Sequence, residues 1–184
     1  MKIRINSENQ NKRIRIDRKK TDRAAIISLK SLKKDNCELN IVFISSQKIR
    51  VLNRKYFGKD KATDVIAFPA VDKKRSQGRR AWRMAHGGNS AFIVIARRSE
   101  AATKQSLSAG AGVKDNEFLG DIAISTDRAR RNAKIYGTSL LEETVLYVAH
   151  GILHLSGYED TSVKKRNVMK KKENEIFQNI KKFL

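Results

Sequence analysis

SLLEETVLYVAHGILHLSGYED, Ser139 to Asp160, is the stretch from which the rest of the chain can be read. Ser139 and Glu142 have the S-x-x-E spacing of a capping box, which satisfies free N–H groups where a helix starts. The residues that follow are almost all apolar, so the helix is expected to be buried. Two of the chain's three histidines, His150 and His154, lie in it at i and i+4. That spacing places both imidazoles on one face, one turn apart. Gly157 then stops the helix, and Glu159 and Asp160 follow in the turn.

Two rings so placed can hold one metal ion between them, as in the H-E-x-x-H helix. A carboxylate from the turn supplies a third ligand and leaves a fourth position open, the pattern of a catalytic zinc site. The expected set is His150 and His154 with one of the two acids, Glu159 or Asp160, holding one Zn2+ per chain. A two-histidine, one-carboxylate set also occurs in non-haem iron oxygenases. Gly151 stands where a metalloprotease carries its glutamate base, which argues against protease chemistry.

With 184 residues, 40% of them hydrophobic, the chain suits a single domain, 1–184, with a core of its own. Its 40 Lys and Arg outnumber 19 Asp and Glu, a net +21, which points to a polyanionic partner, nucleic acid before membrane. A single cysteine, Cys37, excludes an internal disulfide and reads as a buried free thiol. The first residues, MKIRINSENQNKRIRI, lack the apolar core of a secretory signal, and no run of about 18 apolar residues offers a spanning helix. A cytoplasmic protein is expected.

Outward from the histidine helix, KRIRI at 12–16 alternates like a half-exposed strand, and Asp22 to Lys34 has helical spacing. ELNIVFIS at 38–45 reads as a central strand. Ser46 can cap a helix closed by Gly58. TDVIAFP at 63–69 and FLGDIAIS at 118–125 are further strands, and Thr126 or Asp127 can cap the helix 128–136. Val168, Met169, Ile176, Phe177 and Ile180 give the C-terminal segment an apolar helical face, with its lysines solvated. Residues 72–117 form a long, glycine-bearing connection, read as a loop insertion. It includes AFIVIA at 91–96, Trp82 and His86, and part of it resembles a peptide translated from a mobile repeat element. Strands gather early and helices late, so the fold class is α+β.

Three blocks carry a family resemblance. HGILHLSGYED resembles the H-G-x-L-H-L-x-G-Y-D-H signature of the YbeY endoribonucleases. LNRKYFGKDKATDVIAFP, Leu52 to Pro69, is similar to that family's L-N-x-x-Y-R-G-K-D-x-P-T-D-V-L-S-F-P block, and LGDIAIS to its L-G-D-I-x-I-S strand. The resemblance implies a small mixed sheet packed with helices, zincin-like, with the metal in a cleft. It also implies single-strand-specific cleavage of ribosomal RNA, maturation of the 16S 3′ end and ribosome quality control. The implied partners are ribosomal RNA and the small ribosomal subunit, with no membrane and no DNA. Two positions depart from the pattern. Asp160 stands at the family's third metal histidine, so the resemblance implies His150, His154 and Asp160 as the zinc ligands, with Glu159 as the rival acid; Phe57 stands at an arginine thought to serve the RNA. Arg54 and Lys59 lie close by and are the candidates for substrate binding.

The expected activity is that of a zinc-dependent endoribonuclease in which the metal polarises a phosphoryl oxygen or the attacking water and the basic surface gathers the phosphate backbone. No general base is assigned; Asp64 and Asp121 are both candidates. The alternative, of another class, is a basic RNA- or ribosome-binding protein with a structural or absent metal and no nuclease activity. Phe57 and Asp160 favour that alternative.

Overall fold

The computed structural model describes residues 2–70 and 116–183. In chain order these form β1 (Arg4–Asn9), α1 (Arg18–Ser31), β2 (Cys37–Ile44), α2 (Ser46–Phe57), β3 (Val65–Pro69), β4 (Glu117–Ser125), α3 (Thr126–Tyr136), α4 (Leu140–Leu155) and α5 (Val163–Lys181). The strands make one sheet in the order β1-β2-β4-β3. β1 and β4 both run parallel to β2, whereas β3 pairs antiparallel with β4 along the outer edge. This is the mixed sheet with helices that an α+β reading expects.

β2 is central because its β-branched run has a buried side chain at every position except Glu38. On one face Leu39, Ile41 and Phe43 join Ile122 and Ile124 of β4 and meet Leu29 of α1 and Val148 and Ile152 of α4. α4 is apolar on its other side too: Val145, Ala149 and Leu153 pack with Ala24 of α1 and with Met169, Ile176 and Ile180 of α5. A helix apolar all round must be covered all round. The histidine helix is therefore the centre of the described core, between the sheet and α5.

Two close approaches set the register around it. Gly120 has φ +142°, and a Cβ there would strike the Phe68 carbonyl oxygen. It sits where the β2–β4 pairing slips between Glu38 and Leu39. Gly151 lies in α4 against Ile122, and a Cβ would stand 2.8 Å from Ile122 Cγ2. Only glycine lets α4 sit this low on the sheet.

Several boundaries differ from the sequence reading. KRIRI is not a strand; the edge strand is the earlier RINSEN. An asparagine-built turn takes over the later segment: Asn9 Nδ2 donates to the Ile14 carbonyl at 2.8 Å, and the Asn11 amide donates to Asn9 Oδ1 at 3.0 Å. Ser45, not Ser46, caps α2, and Ser125 caps α3. Asp127 is drawn away to the neighbouring helix, where its Oδ2 accepts the Ser46 amide at 2.6 Å. On α5 Val168 is exposed while Met169, Ile176 and Ile180 are buried. Cys37 is a buried free thiol, as expected.

Glu117 belongs to β4, so that strand starts inside the span read as a connection. The rest of the insertion reading, with AFIVIA, Trp82 and His86, lies outside the described residues. On either side of it, the Ala70 amide donates to the Leu119 carbonyl at 2.9 Å, so the described chain ends meet as neighbours on antiparallel strands. No described helix is long and apolar enough to cross a membrane.

Candidate metal centre

The capping box is present in full. The Glu142 amide donates to Ser139 Oγ at 3.1 Å, and the Ser139 amide donates to Glu142 Oε2 at 2.9 Å. The Ser139 amide first, and its hydroxyl second, both donating to Oε2 at 2.9 Å, hold the Glu142 carboxyl below the usual range. They start α4 in register, and 3.6-residue periodicity then turns His150 and His154 to the same side. After α4, the Tyr158 amide returns to the Leu153 carbonyl at 3.0 Å, with Gly157 at φ +90°. This tight return brings Asp160 back beside the histidines. One nitrogen from each ring and one Asp160 oxygen all lie within 4.8 Å of one another.

The hydrogen bonds around the rings decide what the cluster can hold. His150 Nδ1 is 2.8 Å from Glu173 Oε1, and His154 Nδ1 is 3.1 Å from the Tyr158 carbonyl oxygen. A carboxylate and a carbonyl can only accept, so each Nδ1 carries its proton. When both rings are neutral, the Nε2 atoms then present lone pairs to each other at 3.1 Å. Two lone pairs at that distance repel unless a cation lies between them. Tetrahedral Zn–N bonds of about 2.0–2.1 Å put ligand nitrogens roughly 3.3 Å apart, so the two ring nitrogens are spaced as ligands of one ion, and two imidazoles with a carboxylate are donors of a type that zinc accepts. Burial above all, with the neighbouring His150 ring second, lowers the His154 pKa and leaves the ring neutral, the form that ligates.

Glu159, the rival acid, is held elsewhere: Lys165 Nζ donates to its Oε2 at 2.6 Å, and Thr161 Oγ1 does so at 3.3 Å. That lysine pulls its pKa down, which makes it a weak proton acceptor at neutral pH. Neither candidate base is free. Asp64 takes Arg128 Nε at 2.7 Å. Asp121 alternates with Ile122 and so points to the opposite sheet face, where Asn40 Nδ2 donates to it at 2.8 Å. Burial raises its pKa, with the Asn40 bond opposing.

Beside the histidines a cleft of ≈ 420 Å³ runs between the end of α2, β3 and the 157–159 turn; Phe57, Lys59, Thr63, His154 and Tyr158 are among its walls. Lys59 therefore stands in the cleft, with Glu159 also among its walls. Arg54 does not line it; Asp60 engages it at 3.9 Å and takes Arg50 in two bonds at 2.9 and 2.7 Å. Phe57 is 51% exposed, its ring 6.2 Å from that of Phe68. The sequence reading missed Glu173. The signal was there: Met169, Glu173, Ile176 and Ile180 fall on one helical stripe, with an acid at a core-facing position.

The family model described as Endoribonuclease YbeY matches residues 4–181. A relative from Clostridium botulinum (strain Loch Maree), named Endoribonuclease YbeY, is 28% identical over 92% of this chain and 93% of its own length. Another, from C. botulinum strain 657, is 32% identical over 76% of this chain and 72% of its own. One of the same name from Thermoanaerobacter sp. (strain X514) is 30% identical over 77% and 73%. Among solved structures, that of TM1509 from Thermotoga maritima superposes with a TM-score of 0.52 at 20% identity, covering 97% of this chain and 89% of that one, a likeness of fold.

Proposed function

This chain belongs to the YbeY family of endoribonucleases, and from that membership we propose that it is a metal-dependent hydrolase of RNA phosphodiester bonds. The observation that carries the reading is the pair of Nε2 atoms facing each other at 3.1 Å beside Asp160, at the side of a cleft whose walls include Lys59. His150, His154 and Asp160 hold the metal, taken as one zinc per chain. Bound there, it supplies a Lewis acid for a phosphoryl oxygen and for the attacking water. Lys59 pairs with a phosphate and orients the strand. Tyr158 contributes its carbonyl, which keeps the His154 ring turned toward the cleft. The net +21 charge gathers the phosphate backbone. Within this reading the substrate is single-stranded ribosomal RNA, with 16S 3′-end maturation and ribosome quality control as the cellular task. The cytoplasm is the compartment, and the small ribosomal subunit the partner.

The test is RNA cleavage with and without chelator, together with zinc content after dialysis. Replacing His150 or His154 by alanine should abolish stoichiometric zinc and cleavage. Asp160→Ala should weaken zinc binding, and Glu159→Ala should not. Full zinc retention in both histidine variants refutes the metal site. The second reading, an RNA-binding protein without nuclease activity, is favoured by one observation: the cleft wall carries the apolar ring of Phe57. Wild-type protein that binds RNA and zinc but cleaves nothing would establish it.

A further inference from the structure

We propose that Glu173 of the C-terminal helix is a positioning residue of the metal centre, which makes zinc affinity depend on the docking of α5. The inference rests on the metal reading above and not on the identity of the RNA.

α5 packs through Met169, Ile176 and Ile180, all at most 2% exposed. Glu173 follows Met169 by four residues and precedes Ile176 by three, so it lies on the same buried stripe. A carboxylate on a core-facing stripe costs free energy unless a partner compensates it. Its side chain retains 18% exposure, and Oε1 meets His150 Nδ1 at 2.8 Å. The neighbouring acid Glu175 is 58% exposed and takes Lys172 Nζ at 2.8 Å, an ordinary surface pair. Two glutamates two positions apart thus have opposite assignments, set by the helical face each occupies.

The carboxylate does two things to the ring. As an acceptor it keeps the proton on Nδ1, so Nε2 faces His154 with its lone pair. As an anion it increases the electron-donating power of that nitrogen, which the neutral Tyr158 carbonyl does less for His154. Outer partners of ligating histidines are typically worth about 10–100-fold in metal affinity. Here that partner comes from a different helix than the ring it orients. Zinc binding and α5 docking are therefore linked, and each strengthens the other.

The experiment is chelator competition for Zn2+ on the full chain, with Glu173→Ala, Glu173→Gln and Glu175→Ala. Glu173→Ala should lose about 10–100-fold in zinc affinity. Glu173→Gln, which keeps an acceptor but not the charge, should recover part of that loss, and Glu175→Ala should match wild type. Addition of zinc should slow amide exchange across Val163–Lys181 in wild type and much less in Glu173→Ala. Wild-type affinity in Glu173→Ala overturns the proposal. Should that variant unfold, the ring 15N shifts of the wild-type chain decide. A proton on His150 Nδ1 supports the assignment, and a neutral ring protonated only on Nε2 overturns it. Absence of zinc binding by wild type would refute the metal reading, and the ring shifts would still judge Glu173.

Discussion

Gly151→Ala probes the contact that seats the histidine helix on the sheet. The added Cβ would stand 2.8 Å from Ile122 Cγ2, 2.9 Å from Cδ1 and 3.3 Å from Cγ1. Carbon–carbon contacts are optimal at about 3.5–4.0 Å, so the overlap is roughly 0.7 Å. Ile122 is fully buried and paired on both sides, with Ile41 and Ala67. Its Cγ2 moves only with χ1, which β-branching restricts. Overpacking of this kind costs about 1–3 kcal/mol. Alanine offsets that by about 0.8–1.0 kcal/mol of helix propensity. The net expectation is a loss of ~0–2 kcal/mol in wild type, measured by urea unfolding of metal-free protein. In an Ile122→Ala background the obstacle is gone, and the same substitution should stabilise by ~1 kcal/mol. The difference between backgrounds, ~1–3 kcal/mol, is the coupling energy of the contact. Equal stabilisation in both backgrounds would refute the close approach. Zinc affinity should fall in the single variant and partly return in the double, because the helix turn between the two ligands is what the clash displaces.

Three further expectations follow from other parts of the molecule. Burial raises the Asp121 pKa above its ordinary 3.8, so the unfolded chain loses that proton first as pH rises, and stability drops through the interval up to the folded value. Asp121→Asn keeps an acceptor for Asn40; it should raise the melting temperature at pH 7, with a gain that shrinks toward pH 3.8, and a gain independent of pH would exclude burial as the cause. Phe57→Ala should weaken binding of single-stranded RNA by roughly 5–150-fold, the ~1–3 kcal/mol of one stacked base, and leave abasic oligonucleotides nearly unaffected. Equal losses for both ligands would show that Phe57 acts on the fold and not on a base. Replacing 75–114 by a short Gly-Ser bridge should leave the melting temperature nearly unchanged, since doubling a loop costs only about 0.6 kcal/mol; a drop of tens of degrees would mean that the segment belongs to the core.

What the sequence determined by itself is local. The capping box, the i,i+4 histidines and the glycine stop depend on neighbours within one or two helical turns, and each is found where the spacing placed it. The run at 38–45 showed its centrality because a strand buried on both faces must be apolar at nearly every position. KRIRI misled for the converse reason: alternation describes a possible strand, but whether it pairs depends on the partner edge and on competing side-chain bonds from Asn9 and Asn11. The cap of α3 was misplaced because Asp127 is spent on a different helix. Gly151 read as a vacated base position; only packing shows that it is the floor on which α4 meets Ile122. Asp64 and Asp121 looked equivalent as acids until the fold gave one to Arg128 and turned the other to the far face of the sheet. Glu173 stood next to lysines that read as the solvated face of an amphipathic helix. Its role emerges only when α5 closes over α4, because a carboxylate acquires a function from the ring it faces, and that ring lies 23 residues away in the chain.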